Sequence, residues 1–332
     1  MDFEWRVGFT LRNVVIEQPF SFDGIGLDQH PKSSKDEPKV RVTYRFTTTS
    51  GYPAEKVAGE ALERMERFLA CANVNLALTG WDVREPMEEF DVELENWQEL
   101  RNAGITPPTK FSMQMHNTST YRRDFVQTAW EWAEKLQKLP DAEVIMRILR
   151  LLRQSMLEND EYDRLSKVWR SFNALYNHRA TNSRAPETER IKEFAHGLSA
   201  AASYQKGWLA NIMKEYWTAV SLPAELKDQL MYVLVRRKWA SVMDCLIKHN
   251  FVGRDGTNHS SNLATAVGSQ NIIDSLESAL LCVYVERNRV MHGEILSEDE
   301  NDLLYVCALF LQRIVAVALN EFYFVPITQS QS

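Results

Sequence analysis

The hydrophobic period of this chain becomes persistently helical near residue 121, and that change limits the folds open to it. Before it, apolar residues mostly alternate with polar ones. Val7, Phe9 and Leu11 do so, Val14 and Ile16 continue after Asn13, and Val40, Val42, Tyr44 and Phe46 alternate with Lys39, Arg41, Thr43 and Arg45. A period of two belongs to half-buried strands, with a bulge or turn at Asn13. Two later runs, Phe90, Val92 and Leu94 and then Phe111, Met113 and Met115, repeat the pattern. Glu89, Asp91, Glu93 and Glu95 occupy the other face of the first, as on an edge strand that resists further pairing. One helical stripe intervenes, Ala58, Ala61, Leu62, Met65, Phe68, Leu69 and Ala72. From Tyr121 onward almost every segment has the i, i+3, i+4 spacing of an amphipathic helix. The expected fold is α+β, with a small mixed domain over residues 1–120, an all-helical domain over 121–325 and a flexible tail at 326–332.

Within that frame, Asp23-Gly24-Ile25-Gly26 reads as a turn and Gln29 to Pro38 as an exposed loop. The longest uninterrupted stripe is Leu165, Val168, Trp169, Phe172, Leu175 and Tyr176, preceded by carboxylates from Asp160 to Asp163, so this helix buries one face. Residues 177–186 are polar and basic and read as a surface loop, and Gly253 to Asn262 reads as a mobile loop. Helical patterns fill Glu187 to Ala202, Trp208 to Val220, Ala224 to Val235 and Trp239 to Ile247, with the basic cluster Arg236, Arg237 and Lys238 at a junction. Ser297-Glu298-Asp299-Glu300 fits a capping box that opens a last helix. In that helix the apolar segment Val306 to Leu319 is broken by Gln312 and Arg313 and is too short to span a bilayer. The start of the chain has no apolar run of secretory type, and Cys71, Cys245, Cys282 and Cys307 lack Cys-x-x-Cys spacing. Buried thiols in a reducing cytoplasm, with no membrane span, are therefore expected.

The net charge of −7 argues against indiscriminate coating of nucleic acid. Its distribution says more. Residues 1–120 carry 13 Lys and Arg against 19 Asp and Glu, net −6, whereas residues 121–292 carry 24 against 20, net +4. The basic part is the helical part.

Chemistry concentrates in Glu286-Arg287-Asn288-Arg289-Val290-Met291-His292-Gly293-Glu294. Ile273, Leu276, Leu280, Val283, Arg287 and Val290 form one helical stripe, which puts Arg287 on a packed face. A guanidinium there must meet a carboxylate, a phosphate or a partner surface. Asn288 and His292 stand one turn apart, and Gly293 follows where helices commonly end, so the imidazole sits at a helix C-terminus. The macrodipole there favours the protonated ring, which suits His292 to proton transfer. Without further context, Arg287 pairs with a buried acid, Asn288 shapes the helix end and His292 satisfies terminal carbonyls. The remaining histidines, His30, His116, His178, His196, His249 and His259, have no ligand spacing, and no phosphate loop or zinc motif occurs. No metal and no cofactor is expected.

The order Arg-Asn-x-x-x-His followed by Gly resembles the motif of HEPN domains, helical modules many of which are metal-independent endoribonucleases. The run Lys167 to Tyr176 is similar to the helix preceding the motif helix in the Apea-like HEPN branch, although Asn173 stands where that branch often has an acid. The resemblance implies Arg287, Asn288 and His292 as catalytic residues of an endoribonuclease, a toxin or anti-phage effector. Arg289, Arg170 and His178 are the expected RNA contacts, with His178 and His259 taken as loop residues. Cleavage needs a proton removed from one side of the phosphate and another delivered on the far side, so a homodimer through the motif helix is expected to supply two copies of His292. The first domain would then sense a protein or nucleotide trigger. The alternative is a catalytically silent HEPN module that binds a nucleotide or a protein partner.

Overall fold

The computed structural model describes residues 2–49, 60–74, 87–94, 111–112, 119–120, 123–201, 239–292 and 298–324, apart from residues 13, 17, 23, 35–38, 61–62, 65, 159 and 270. The chain is α+β and divides into two compact units, Met1–Leu76 with Val83–Pro140, and Ala77–Asp82 with Asp141–Ser332.

The first unit is built on a long central strand. β1 (Asp2–Arg12) lies between β5 (Lys39–Thr49) and β6 (Met87–Leu94), antiparallel to both. β3 (Phe20–Phe22), β4 (Ile25–Gln29) and β7 (Phe111–Ser112) complete a sheet of order β3-β4-β5-β1-β6-β7, while β2 (Val14–Val15) pairs in parallel with β8 (Ser119–Thr120). The register Phe22 to Ile25 leaves a two-residue turn, in which Gly24 adopts φ 79°. A Cβ at Gly24 would lie 2.6 Å from the Arg45 carbonyl oxygen, so only glycine fits the expected turn.

The alternation in β5 is realised as read: Val40, Val42 and Tyr44 are buried while Arg45 is exposed. The acidic strand is corrected. β6 is not an edge, because β7 pairs with it at Glu89 and Phe90, so the edges of the sheet are β3 and β7. Met113 and Met115 fall outside the described residues.

The boundary expected near residue 120 is also displaced, to Pro140. Helix α1 (residues 66–74) and helix α2 (Arg123–Leu136) both serve the sheet core. The Trp130 ring stands 5.1 Å from Tyr44 and 5.9 Å from Phe68. Arg64 pairs with Glu134 through two 2.6 Å contacts and lies over the Tyr44 and Trp130 rings. Hydrophobic period shows that α2 is a helix with a buried face, and it does not show whose core that face joins.

The second unit is helical among its described residues: α3 (Ala142–Leu157), α4 (Glu161–Arg179), α5 (Glu187–Ala201), α6 (Trp239–Lys248), α7 (His259–Gly268), α8 (Ile272–Met291) and α9 (Glu298–Leu319), which ends in a π-helical turn, Asn320–Phe324. Asp160 caps α4 by accepting from the Asp163 amide at 2.9 Å, and every residue of the Leu165 to Tyr176 stripe is buried. Asn258 and Asn271 cap α7 and α8 in the same way.

Two expected loops are corrected. Helix α4 continues to Arg179, so His178 is helical, and residues 259–268 form α7. The segment before α7 is tied down by Gly253 N to Thr257 O at 2.8 Å and His259 N to Phe251 O at 2.8 Å. The last helix is longer than the apolar segment suggested. Leu303–Phe324 is long and apolar enough to cross a membrane by length and composition, but 89% of that window is buried inside the protein, as in a core helix. The helices expected between residues 202 and 238, the Arg236 cluster, the Ser297 cap and the tail at 326–332 lie outside the described residues.

Candidate functional site

The motif helix α8 packs against α7, α5 and α4, and buries Leu276, Leu280, Val283 and Val290 of the expected stripe. Arg287 does not share that burial. It is half-buried, whereas its neighbour Glu286 is fully buried and Val290 is buried again, so in that one turn the packed face runs through Glu286 rather than Arg287. Glu286 takes the charge of Arg289 at 3.1 Å. Among the described residues Arg287 meets no carboxylate; it lies over the Trp169 ring at 5.5 Å and donates from Nη1 to Asn288 Oδ1 at 2.8 Å. Asn173, the departure from the Apea-like pattern, accepts from Asn177, which in turn accepts from Arg190. Trp169 and Asn288 therefore orient Arg287 within the chain.

His292 is the C-cap of α8, as expected, with its amide on the carbonyls of Asn288 and Arg289 and its ring exposed. Its Nε2 lies 2.9 Å from Nη2 of Arg254. A guanidinium has donors and no lone pair, so Nε2 is the acceptor and the ring proton of that arrangement sits on Nδ1.

Arg254 belongs to a small built loop. Asp255 accepts from the Thr257 amide at 3.0 Å and from the Thr257 hydroxyl at 2.9 Å, and these bonds hold its carboxyl below the usual carboxylate range. Gly253 closes the loop: a Cβ there would stand 2.7 Å from Asp255 Oδ1 and 3.0 Å from His259 Nε2. His259 is itself buried, and burial pushes its ring down from the ordinary histidine value despite the opposing charge of Asp255.

These groups meet in a cleft of about 500 Å³ between the loop, α5 and the end of α8. Lys192, Arg254, Asp255, His259, Asn288, Arg289 and His292 supply its polar lining, and Leu281, Tyr284 and Val285 its apolar floor. Lys192, Arg254 and Arg289 thus share the cleft with Asp255, and Arg289 is also held by Glu286. Lys192 is also held 3.3 Å from Glu277 of α8. Among the described residues, no group of three or more His, Cys, Asp or Glu side chains could hold a metal ion.

Of the residues singled out from sequence, Asn288, Arg289 and His292 line this cleft and Arg287 reaches it through Asn288. Arg170 and His178 do not. Arg170 is exposed on α4, and His178 stacks near Tyr323 with Nε2 3.5 Å from Asp141, a helix-end contact. Arg254 and Lys192 were missed because each lies far from the motif in sequence. Only the loop composition around Gly253 hinted at them. No protein-family model matches the chain, and no curated protein and no solved structure matches it either.

Proposed function

We propose that this chain is an endoribonuclease of HEPN type that works without a metal ion, its helical unit being the HEPN-like bundle. The observation that carries the reading is His292, exposed at the end of α8 on a cleft lined by Lys192, Arg254 and Arg289. Arg254 and the N–H donors of Arg289 and Lys192 in one cleft can bind a phosphodiester. Cleavage by the 2'-hydroxyl requires proton removal, proton delivery and stabilisation of charge on phosphorus. In this reading His292 moves protons, Arg287 stabilises phosphoryl oxygens and Asn288 orients Arg287. Arg289 binds the RNA backbone.

The composite homodimer belongs to the same proposal. Its support is apolar surface beside the chemistry, since Met291 is 49% exposed and Val252, on the cleft wall, is 42% exposed. His259 bears on this point, because it gives one chain a second imidazole in the same cleft. Mixing excess His292→Ala protein with wild type under exchanging conditions separates the two: a composite site loses activity beyond dilution, and a one-chain site does not. A cytoplasmic toxin or anti-phage effector, restrained or triggered through the first unit, is the setting that the resemblance supplies.

Purified protein incubated with mixed RNA in EDTA tests the reading directly. Cleavage with 2',3'-cyclic phosphate ends, absent in His292→Ala, is expected. Strict dependence on magnesium with 3'-hydroxyl ends would place the chain in another class. Tight nucleotide binding without any cleavage would favour the silent binding module.

A further inference from the structure

Arg254 is outside the Arg-Asn-x-x-x-His motif, yet it makes the one side-chain hydrogen bond that His292 has among the described residues, at 2.9 Å from Nε2. The geometry leaves a single assignment of roles, because five guanidinium hydrogens can only donate and the imidazole nitrogen must therefore accept. The lone pair that a proton-abstracting imidazole needs is thus held by Arg254. Arg254 is exposed, makes no ion pair among the described residues, and shares the lining of the cleft with Arg289 and Lys192. A phosphate oxygen is a far better partner for a guanidinium than a neutral ring nitrogen, being charged and able to accept two parallel N–H bonds.

We propose that Arg254 is a phosphate-displaced latch on His292: it holds the Nε2 lone pair and surrenders it when a phosphodiester draws the guanidinium away. The proposal rests on the nuclease reading for its purpose and not for its geometry. After displacement, the freed Nε2 accepts the proton of the substrate's 2'-hydroxyl as the 2'-oxygen bonds to phosphorus, the bond from phosphorus to the 5'-oxygen breaks, and the leaving 5'-oxygen takes up a proton from the second imidazole of the proposed site, while Nδ1 keeps its own proton. Arg254, now on the phosphoryl oxygen, stabilises the charge that this step builds. The loop suits such a handover, since Gly253 and the Asp255 to Thr257 bonds fix its base while Arg254 projects from an otherwise self-bonded turn.

The test is ¹⁵N spectroscopy of histidine-labelled full-length protein, read at the His292 ring nitrogens without and with inorganic phosphate. In wild type without phosphate, Nε2 should show the unprotonated signal and Nδ1 the protonated one. Phosphate should shift the ring towards the mixture of tautomers that a free imidazole adopts. Arg254→Ala should show that mixture from the start and should not respond to phosphate. Arg254→Gln, which keeps an N–H donor and loses the charge, should hold the Nδ1–H tautomer but respond more weakly, and it serves if the alanine variant misfolds. Identical tautomers in wild type and both variants, or no response of wild type to phosphate, overturns the latch. In RNA cleavage, Arg254→Ala should lose about 10²-fold in rate, as removal of one oxyanion donor does. If wild type cuts no RNA while the tautomer exchange is seen, the nuclease reading fails and the latch stands as an anion-sensing contact.

Discussion

Arg164 and Arg254 belong to the same unit and are held in opposite ways. Arg164, on α4, is fully buried, donates to Gln312 Oε1 at 3.1 Å, stands 3.7 Å from Glu161 and lies over the Tyr305 ring. Gln312 in turn donates to Ser155, whose hydroxyl donates to the Leu152 carbonyl at 2.6 Å. That chain links α3, α4 and α9. Arg254 is exposed and bonds to one exposed ring. Buried polar groups with several partners specify packing and are expensive to disturb, while a surface cation with a single neutral partner is free to change partners. The same side chain thus serves architecture in one place and is available for chemistry in the other.

The comparison can be broken most directly at its two ends. Loss of His292 should cost RNA cleavage about two to four decades in rate, the usual cost of general acid-base loss. Because the ring is exposed, the thermal midpoint of His292→Ala should stay near that of wild type, checked by circular dichroism. A variant that cuts RNA as well as wild type would remove His292 from the site. Arg164→Ala should do the reverse. It removes a large buried side chain and its network, at a cost of about 3–5 kcal/mol by analogy with broken buried pairs, read from urea unfolding. Any fold left at low temperature should retain the cleavage that the proposed function expects.

Arg289 sharpens the contrast because it stands on both sides of it. It lines the cleft and also pairs with the fully buried Glu286. Arg289→Ala should weaken RNA binding and destabilise the unit together, the latter by about 1–3 kcal/mol for the buried carboxylate that loses this contact. Effects on only one of the two readouts would assign the residue to one role. The smallest expected effect is at His259. Burial lowers its pKa in the folded protein, so as pH falls below about 6.5 the unfolded chain takes up its proton first. The stability that neutral His259 contributes is complete above that pH and is lost as pH falls towards the folded value. Urea midpoints at pH 7.5 and 5.5 should therefore differ more for wild type than for His259→Gln.

Legibility followed locality. The Leu165 to Tyr176 stripe, the β5 alternation, the Gly24 turn and the placement of His292 at a helix end all depend on residues within a few positions of one another, and each was readable. The site was readable only where it lies on α8. Arg254 and Lys192 reach His292's cleft from 38 and 100 positions away, a distance no period can express.

By itself, then, the amino-acid sequence determined the long strands β1 and β5, the long helices α4 and α8, the α+β class and the Arg287, Asn288 and His292 constellation, but not β3, β4 or α7, because pleat, helical turn and caps are set by neighbouring side chains only where the pattern is long. Tertiary structure alone decided that α2 joins the sheet, that Glu286 rather than Arg287 is the buried charge, and that Arg254 rests on His292. Those outcomes depend on which surfaces meet, and burial is a property of the pair of surfaces rather than of either segment.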